Sequence, residues 1–112
     1  MADLFIKVGD TRPWTSNLTS AGDDDLTDAS TVVKVYMRLA HGSTSNKIDG
    51  TSAAMGTKTT SKIPVTYSPS STDVDTAGDY LLYWKVTFTA GSKLARWPSH
   101  GHDKVFIQAS FE

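Results

Sequence analysis

The sequence contains no cysteine, so a disulfide framework, a thiol nucleophile and a thiolate metal site are all excluded. It also lacks an excess of either charge, since 11 Lys and Arg residues stand against 12 Asp and Glu residues and the formal net charge is −1. This balance predicts no nucleic-acid partner and no polybasic attachment to a membrane. No apolar run approaches the roughly 18 residues of a membrane span, and the first four residues carry no basic group. We therefore expect a soluble protein, made in the cytosol without an encoded export signal.

Helix-forming Glu and Leu are sparse, and apolar residues nowhere repeat with the period of 3.6 that an amphipathic helix needs. Ser and Thr instead make up about a quarter of the 112 residues, together with three Trp, four Tyr and four Phe. Thr and the aromatic residues favour strands, because branched or flat side chains pack well on a pleated surface. Length and composition together predict a single all-β domain over residues 1–112.

About seven short strands are predicted, separated by turn residues at intervals of roughly 8 to 14 residues. They cover residues 4–8, 14–18, 31–39, 63–67, 80–88, 94–97 and 104–111. Apolar and polar residues alternate at 31–39 and at 80–88, which predicts one buried and one solvent-facing side of the sheet. The last strand should turn Val105, Ile107, Ala109 and Phe111 inward. Pro64 should confine its strand to a sheet edge or a strand start.

The segment from residue 41 to residue 61 is small and polar, with Gly42, Gly50 and Gly56 spaced through it. It is expected to be the most mobile part of the chain. The prediction here is loops around one or two weak edge strands, near residues 46–48 and 55–60.

Residues 75–80, with the sequence DTAGDY, lead directly into the strongest predicted strand. This layout is typical of the tyrosine corner of immunoglobulin domains, in which a Tyr hydroxyl reaches back to the upstream backbone. Tyr80 would be that tyrosine, and Leu82 would replace the cysteine expected two residues later. The alternative is a turn followed by an ordinary buried tyrosine. The corner favours an Ig-like antiparallel β-sandwich over a small barrel.

Two groups of residues are candidate metal sites. His100 and His102, beside Asp103, could place two imidazoles on one side of a strand, but further ligands would have to come from distant His41 or an unplaced carboxylate. Residues 23–25 are three consecutive aspartates, without the alternating ligands and central glycine of a calcium loop. Exposed polar turns are the favoured interpretation of both, so no metal and no cofactor are predicted.

No catalytic motif stands out. The chain has no Gly-x-Ser-x-Gly elbow and no glycine-rich phosphate loop before a helix, and its only glutamate is Glu112. The prediction is a protein that is not an enzyme.

Trp14 and Trp97 each adjoin a proline outside the predicted core strands. Three roles remain open for them. They could cover the open ends of the sandwich, anchor a protein interface or stack on a sugar.

Five segments of the sequence, in series, cover nearly the whole chain. They are Gly9-Asp10-Thr11-x-Pro13; residues 25–32 leading to Tyr36-Met37-Arg38; Tyr67 with Asp73-x-Asp75-Thr76-Ala77-Gly78-x-Tyr80; Val86-Thr87-Phe88-x-x-Gly91; and Trp97-Pro98-x-x-Gly101 before Val105-Phe106-Ile107. Together they resemble a phage structural domain, the Ig-like module at the N-terminus of siphophage upper baseplate proteins and in short tail or virion proteins.

The resemblance implies a virion structural protein, made in the host cytoplasm, that docks on other virion proteins in a multi-copy symmetric assembly. Its partners would be baseplate, tail or capsid proteins, with no nucleic acid and no membrane. Candidate interface elements are the strand at residues 4–8, the segment at residues 42–61 and five aromatic residues: Trp14, Trp97, Phe5, Tyr36 and Tyr83. The alternative is a small module that binds a host-surface glycan through Trp and Tyr.

Overall fold

The computed structural model describes residues 3–19, 26, 29–41, 45–88, 94–97 and 103–109. These residues form eight β-strands and contain no α-helix. The strands are β1 (Leu4–Lys7), β2 (Trp14–Thr19), β3 (Ala29–Leu39), β4 (Asn46–Met55), β5 (Lys62–Tyr67), β6 (Gly78–Phe88), β7 (Leu94–Trp97) and β8 (Asp103–Gln108). Within this described part there is also no helix long and apolar enough to cross a membrane. The prediction of an all-β protein is confirmed.

The strands form one curled sheet in the order β1-β8-β6-β3-β4-β5-β2, and β7 pairs with β6 beyond the end of β8. Neighbouring strands are antiparallel except β1 and β8, which are parallel. The sheet turns at β4, whose residues 46–53 pair with β3 while residues 54–55 pair with β5. One strand therefore belongs to both halves of the curl.

The concave side of the curl encloses a single apolar core, which the alternation of the strands produces. Burial in β3 and β6 alternates as the sequence predicted, so that every second residue from Tyr80 to Phe88 is buried. The largest fully buried side chains come from both halves of the curl: Trp84, Tyr80, Leu18, Leu26, Met37, Ile48, Ile63 and Leu82.

The expectation for residues 41–61 is wrong in one respect, because residues 46–55 form the continuous strand β4. Only Ile48 in this strand is buried. The sequence does not predict β4 as a continuous strand, because its side chains are mostly small or polar and a strand is recognised by alternating apolar residues. Backbone pairing with β3 and β5 holds β4 in the sheet, although its side chains bury little apolar surface.

Two smaller expectations also need correction. The strand that contains Pro64 is not at an edge, because β5 lies between β4 and β2. Its ladder with β4 ends at the pair Met55 and Val65, and beyond it the Pro64 carbonyl accepts a hydrogen bond from the Gly56 amide at 2.8 Å, so no proline N–H is needed. Ala109 is exposed rather than turned inward, because β8 ends at Gln108. Phe111 lies outside the described residues.

Candidate interaction surface

The convex side of the sheet carries the side chains that alternate away from the core on β1, β8, β6, β7 and β3, with Asp49 from β4. We call this surface the outer face. Its aromatic and apolar members include Phe5, Phe106, Leu81, Tyr83, Tyr36 and Leu94. Its charged members are Lys7, Lys34, Arg38, Asp49, Asp79, Lys85, Arg96 and Lys104.

Tyr36 and Tyr83 form an aromatic pair at the centre of the outer face. They lie directly opposite each other on β3 and β6, with ring centroids 4.9 Å apart and an interplanar angle of 9°. The Lys85 ammonium lies 5.4 Å from the centroid of the Tyr36 ring, within the range of a cation–π contact. Each ring thus turns one face to its partner.

Gly50 makes room for Tyr36. It is the extra residue where the register between β3 and β4 shifts, and its φ of +75° is in the left-handed region. A Cβ added at Gly50 would lie 3.0 Å from the Tyr36 hydroxyl oxygen. A side chain here would therefore press on the aromatic pair.

Phe5 and Phe106 form a second stacked pair at the edge of the outer face. They are opposite each other in the parallel pairing of β1 and β8, with centroids 4.8 Å apart and an interplanar angle of 15°. Phe5 is 66% exposed, the largest exposure of any large hydrophobic side chain in the described residues. The predicted interface residue Phe5 therefore lies where a partner could reach it, whereas Ile6 in the same predicted strand is buried.

Three basic side chains cross the outer face in one row. Register places Lys34 opposite Lys85, and Lys85 opposite Arg96, on three neighbouring strands. Lys34 donates a hydrogen bond to the Ser52 hydroxyl at 3.1 Å. Within the described part of the chain, no carboxylate forms an ion pair with any of the three. A second row brings together Arg38, Leu81 and Lys104.

The two tryptophans have different positions. Trp14 is 3% exposed and packs against Tyr67 at a centroid distance of 5.5 Å, so it is a core residue and is not available as a surface anchor. Trp97 is half-buried, and its indole Nε1 donates to the Thr19 carbonyl at 2.8 Å. Trp14 is therefore part of the core, whereas Trp97 joins β7 to the end of β2.

Tyr80 makes the contact expected of a tyrosine corner. Its hydroxyl donates to the backbone carbonyl of Thr76 at 2.9 Å, and Leu82 is fully buried at the position where a cysteine was expected. Burial raises the pKa of Tyr80 above its ordinary value. This contact fixes the turn that precedes β6.

Tyr67 is held in a similar way at the end of β5. Its hydroxyl donates to Asp73 Oδ2 at 2.5 Å, and the same oxygen accepts the Ser70 amide at 2.9 Å. Burial raises the pKa of Tyr67, and the bond to the Asp73 carboxylate raises it further. Both tyrosines are thus kept as neutral donors.

The segment between these tyrosines is joined to β4 by an ion pair. Lys47 lies at the second register shift between β3 and β4, and its Nζ is 2.5 Å from Asp75 Oδ1. Hydrogen bonds from Lys47 and Thr76 lower the pKa of Asp75. Lys47, Asp75 and Thr76 stabilise the turn before β6, and none of them belongs to the outer face.

A shallow groove adjoins the outer face beside Phe106. Its other lining residues include His41, Asp79 and Lys104. Among the described residues, no group of three or more His, Asp or Glu side chains could hold a metal ion. The candidate metal ligands His100, His102 and residues 23–25 lie outside the described residues.

Sequence reasoning did not identify Phe106 or the row of Lys34, Lys85 and Arg96 as parts of a site. The outward position of Phe106 follows from the alternation of its strand, whereas the row depends on the register between three strands. Comparison with known proteins adds no assignment, since no family model and no curated protein matches the chain.

Proposed function

We propose that the protein is a non-enzymatic structural component of a bacteriophage virion, an Ig-like sandwich that docks on other virion proteins in many copies. It is made in the host cytoplasm and acts in the particle. The outer face carries this proposal. It presents a 66% exposed Phe5 stacked on Phe106, and the Tyr36 and Tyr83 pair, on neighbouring strands of one sheet.

Three observations support the Ig-like part of the proposal. The Tyr80 hydroxyl bonds the Thr76 carbonyl, as in a tyrosine corner. Strand β4 passes from pairing with β3 to pairing with β5, as a strand at the turn between two packed layers does. Both halves of the curl contribute to one core. The series of five segments in the sequence supports the phage origin.

Docking through this face suits a symmetric assembly. Exposed aromatic side chains are common anchors of protein interfaces, and β1 has one edge that pairs with no other strand in the described residues. Contacts that are modest in a single copy gain strength when many copies engage one lattice.

Quantitative mass spectrometry of purified phage particles, with intact virions compared against separated tails, tests the proposal. Copies in the hundreds that stay with the heads would indicate a capsid decoration protein. Copies in multiples of three or six that stay with the tails would indicate a baseplate or tail component. Absence from both fractions would overturn the proposal.

The groove beside Phe106 favours a second candidate function, binding of a host-surface glycan. An aromatic ring next to His41, Asp79 and Lys104 offers both a stacking surface and polar groups for hydroxyls. Weak binding of a sugar by the isolated protein, lost in Phe106→Ala and retained in Trp97→Phe, would support this function.

A further inference from the structure

The outer face is strongly basic although the whole chain is slightly acidic. Within the described strands it carries six of the eleven Lys and Arg residues but only two of the twelve Asp and Glu residues, Asp49 and Asp79. The rest of the sequence therefore keeps five basic and ten acidic residues. Within the described strands, basic residues are thus concentrated on the outer face.

The row of Lys34, Lys85 and Arg96 opposes the stability of the sheet. Like charges directly opposite each other on neighbouring strands are destabilising, and here three follow one another across β3, β6 and β7. The hydrogen bond to Ser52 and the contact with the Tyr36 ring relieve Lys34 and Lys85 only in part. An arrangement that costs stability in the free protein is explained by a bound partner of opposite charge.

The aromatic pairs leave fewer ring faces for the bases of a nucleic acid than four separate rings would. Single-stranded nucleic acids bind aromatic side chains by stacking a base on a free ring face. Tyr36 and Tyr83 instead turn a face to each other, and Phe5 and Phe106 do the same. The tyrosine hydroxyls and the ammonium and guanidinium groups of this face can donate hydrogen bonds to carboxylates.

We infer that the outer face docks on an acidic protein surface, with Lys34, Lys85 and Arg96 as its principal contacts. The Tyr36 and Tyr83 pair lies between this row and the second row, which contains Arg38, Leu81 and Lys104. This inference names the partner chemistry of the proposed docking role and rests on that role.

The test uses the purified full chain and a fluorescent oligo-glutamate peptide, with oligo-glutamine and oligo-thymidylate of the same length as comparisons. Fluorescence anisotropy should show binding to oligo-glutamate that weakens with added salt. The triple variant Lys34→Gln, Lys85→Gln, Arg96→Gln should bind about tenfold more weakly, the loss expected for three exposed ion pairs. Its melting temperature should equal or exceed that of the unchanged protein, which a purely structural role of these residues would not produce.

A matched variant removes the same charge elsewhere. Arg12→Gln, Lys58→Gln, Lys62→Gln changes three basic residues that lie off the outer face, and it should bind oligo-glutamate as the unchanged protein does. Equal loss in both variants would overturn the inference, as would no binding to oligo-glutamate. Tighter binding to oligo-thymidylate would overturn it in favour of a nucleic acid.

Two further results separate this inference from the proposed function. A salt-sensitive oligomer of the protein alone, lost in the triple variant on the outer face, would support the inference and identify the acidic partner as a second copy. Absence of the protein from phage particles would overturn the virion role, whereas failed binding in solution would overturn only the inference about the outer face.

Discussion

The indole Nε1 of Trp97 donates a hydrogen bond to the backbone carbonyl of Thr19, 2.8 Å away, and thereby joins β7 to the end of β2. In the sheet order, β3, β4 and β5 separate β2 from β6, the strand on which β7 pairs. The bond therefore spans the curl of the sheet instead of following its ladder. It connects the first and second halves of the fold at the surface.

Replacing Trp97 by Phe keeps an aromatic ring but removes the N–H donor. We expect the free energy of unfolding to fall by about 0.5–1.5 kcal/mol, the usual net contribution of one hydrogen bond. Urea unfolding followed by fluorescence measures this. Leu94→Ala, on the same strand and 52% exposed, should change stability by less than about 0.5 kcal/mol. Equal effects of the two substitutions would show that the Trp97 bond does not stabilise the fold.

Truncation of Trp14 should cost much more stability than truncation of Phe5. Trp14→Ala opens a cavity in the core and should cost about 3–5 kcal/mol of stability. Phe5→Ala removes an exposed ring and one stacking contact, and should cost less than about 1.5 kcal/mol.

Urea unfolding of both variants, together with the particle measurement described above, separates the two roles. If docking uses the outer face, Phe5→Ala should lower incorporation into particles while the protein stays folded. A Phe5→Ala protein as unstable as Trp14→Ala would place Phe5 among the residues that hold the fold.

The core strands and the two tryptophans show which features of the fold the sequence predicts and which it does not. Alternation in β3 and β6 is a local property, and it correctly predicted which residues of these strands face the core. The burial of Trp14 depends on its pairing with Tyr67, which is 53 positions away along the chain. No local sequence pattern predicts that pairing. Trp14 and Trp97 stand in similar sequence surroundings and still occupy different environments.

The candidate surface was predictable to a similar extent. Phe5, Tyr36 and Tyr83 were identified as aromatic candidates, and the structure brings Tyr36 and Tyr83 together. The basic row was not predicted, because its members come from three strands and only the register aligns them. The net charge of −1 for the whole sequence does not reveal that basic residues are concentrated on the outer face.

Gly50 provides a test of how the aromatic pair is held. Gly50→Ala should cost about 1–2 kcal/mol for an L-residue in the left-handed region, and more because its Cβ would lie 3.0 Å from the Tyr36 hydroxyl oxygen. Near-ultraviolet circular dichroism should also change as the Tyr36 and Tyr83 rings shift. Urea unfolding measures the stability.

Gly9 is the matched control for this substitution. Its φ is +86°, but a Cβ added there would meet no atom within 4 Å. Gly9→Ala should therefore show the backbone cost alone, with an unchanged aromatic spectrum. If the two variants lose the same stability and keep the same spectrum, Gly50 does not support the aromatic pair.

Stability should fall at alkaline pH because of Tyr67 and Tyr80. Burial raises the pKa of both, and the Asp73 carboxylate raises that of Tyr67 further, so the folded protein holds these protons more tightly than the unfolded chain does. The resulting stabilisation is complete below the unfolded pKa of about 10 and is lost as the pH rises above it. Urea midpoints measured from about pH 8 to about pH 11.5 should decline steadily once the pH passes about 10.

Tyr67→Phe should make this decline shallower, because one of the two protons is no longer involved. Asp73→Asn keeps a side-chain oxygen that can accept the Tyr67 hydroxyl but removes the negative charge, so its decline should lie between those of Tyr67→Phe and the unchanged protein. The absorbance of ionised tyrosine should rise in two stages, the second coinciding with unfolding. A single stage completed while the protein remains folded would mean that Tyr67 and Tyr80 exchange their protons with solvent freely, and that neither hydroxyl is held as the structure describes.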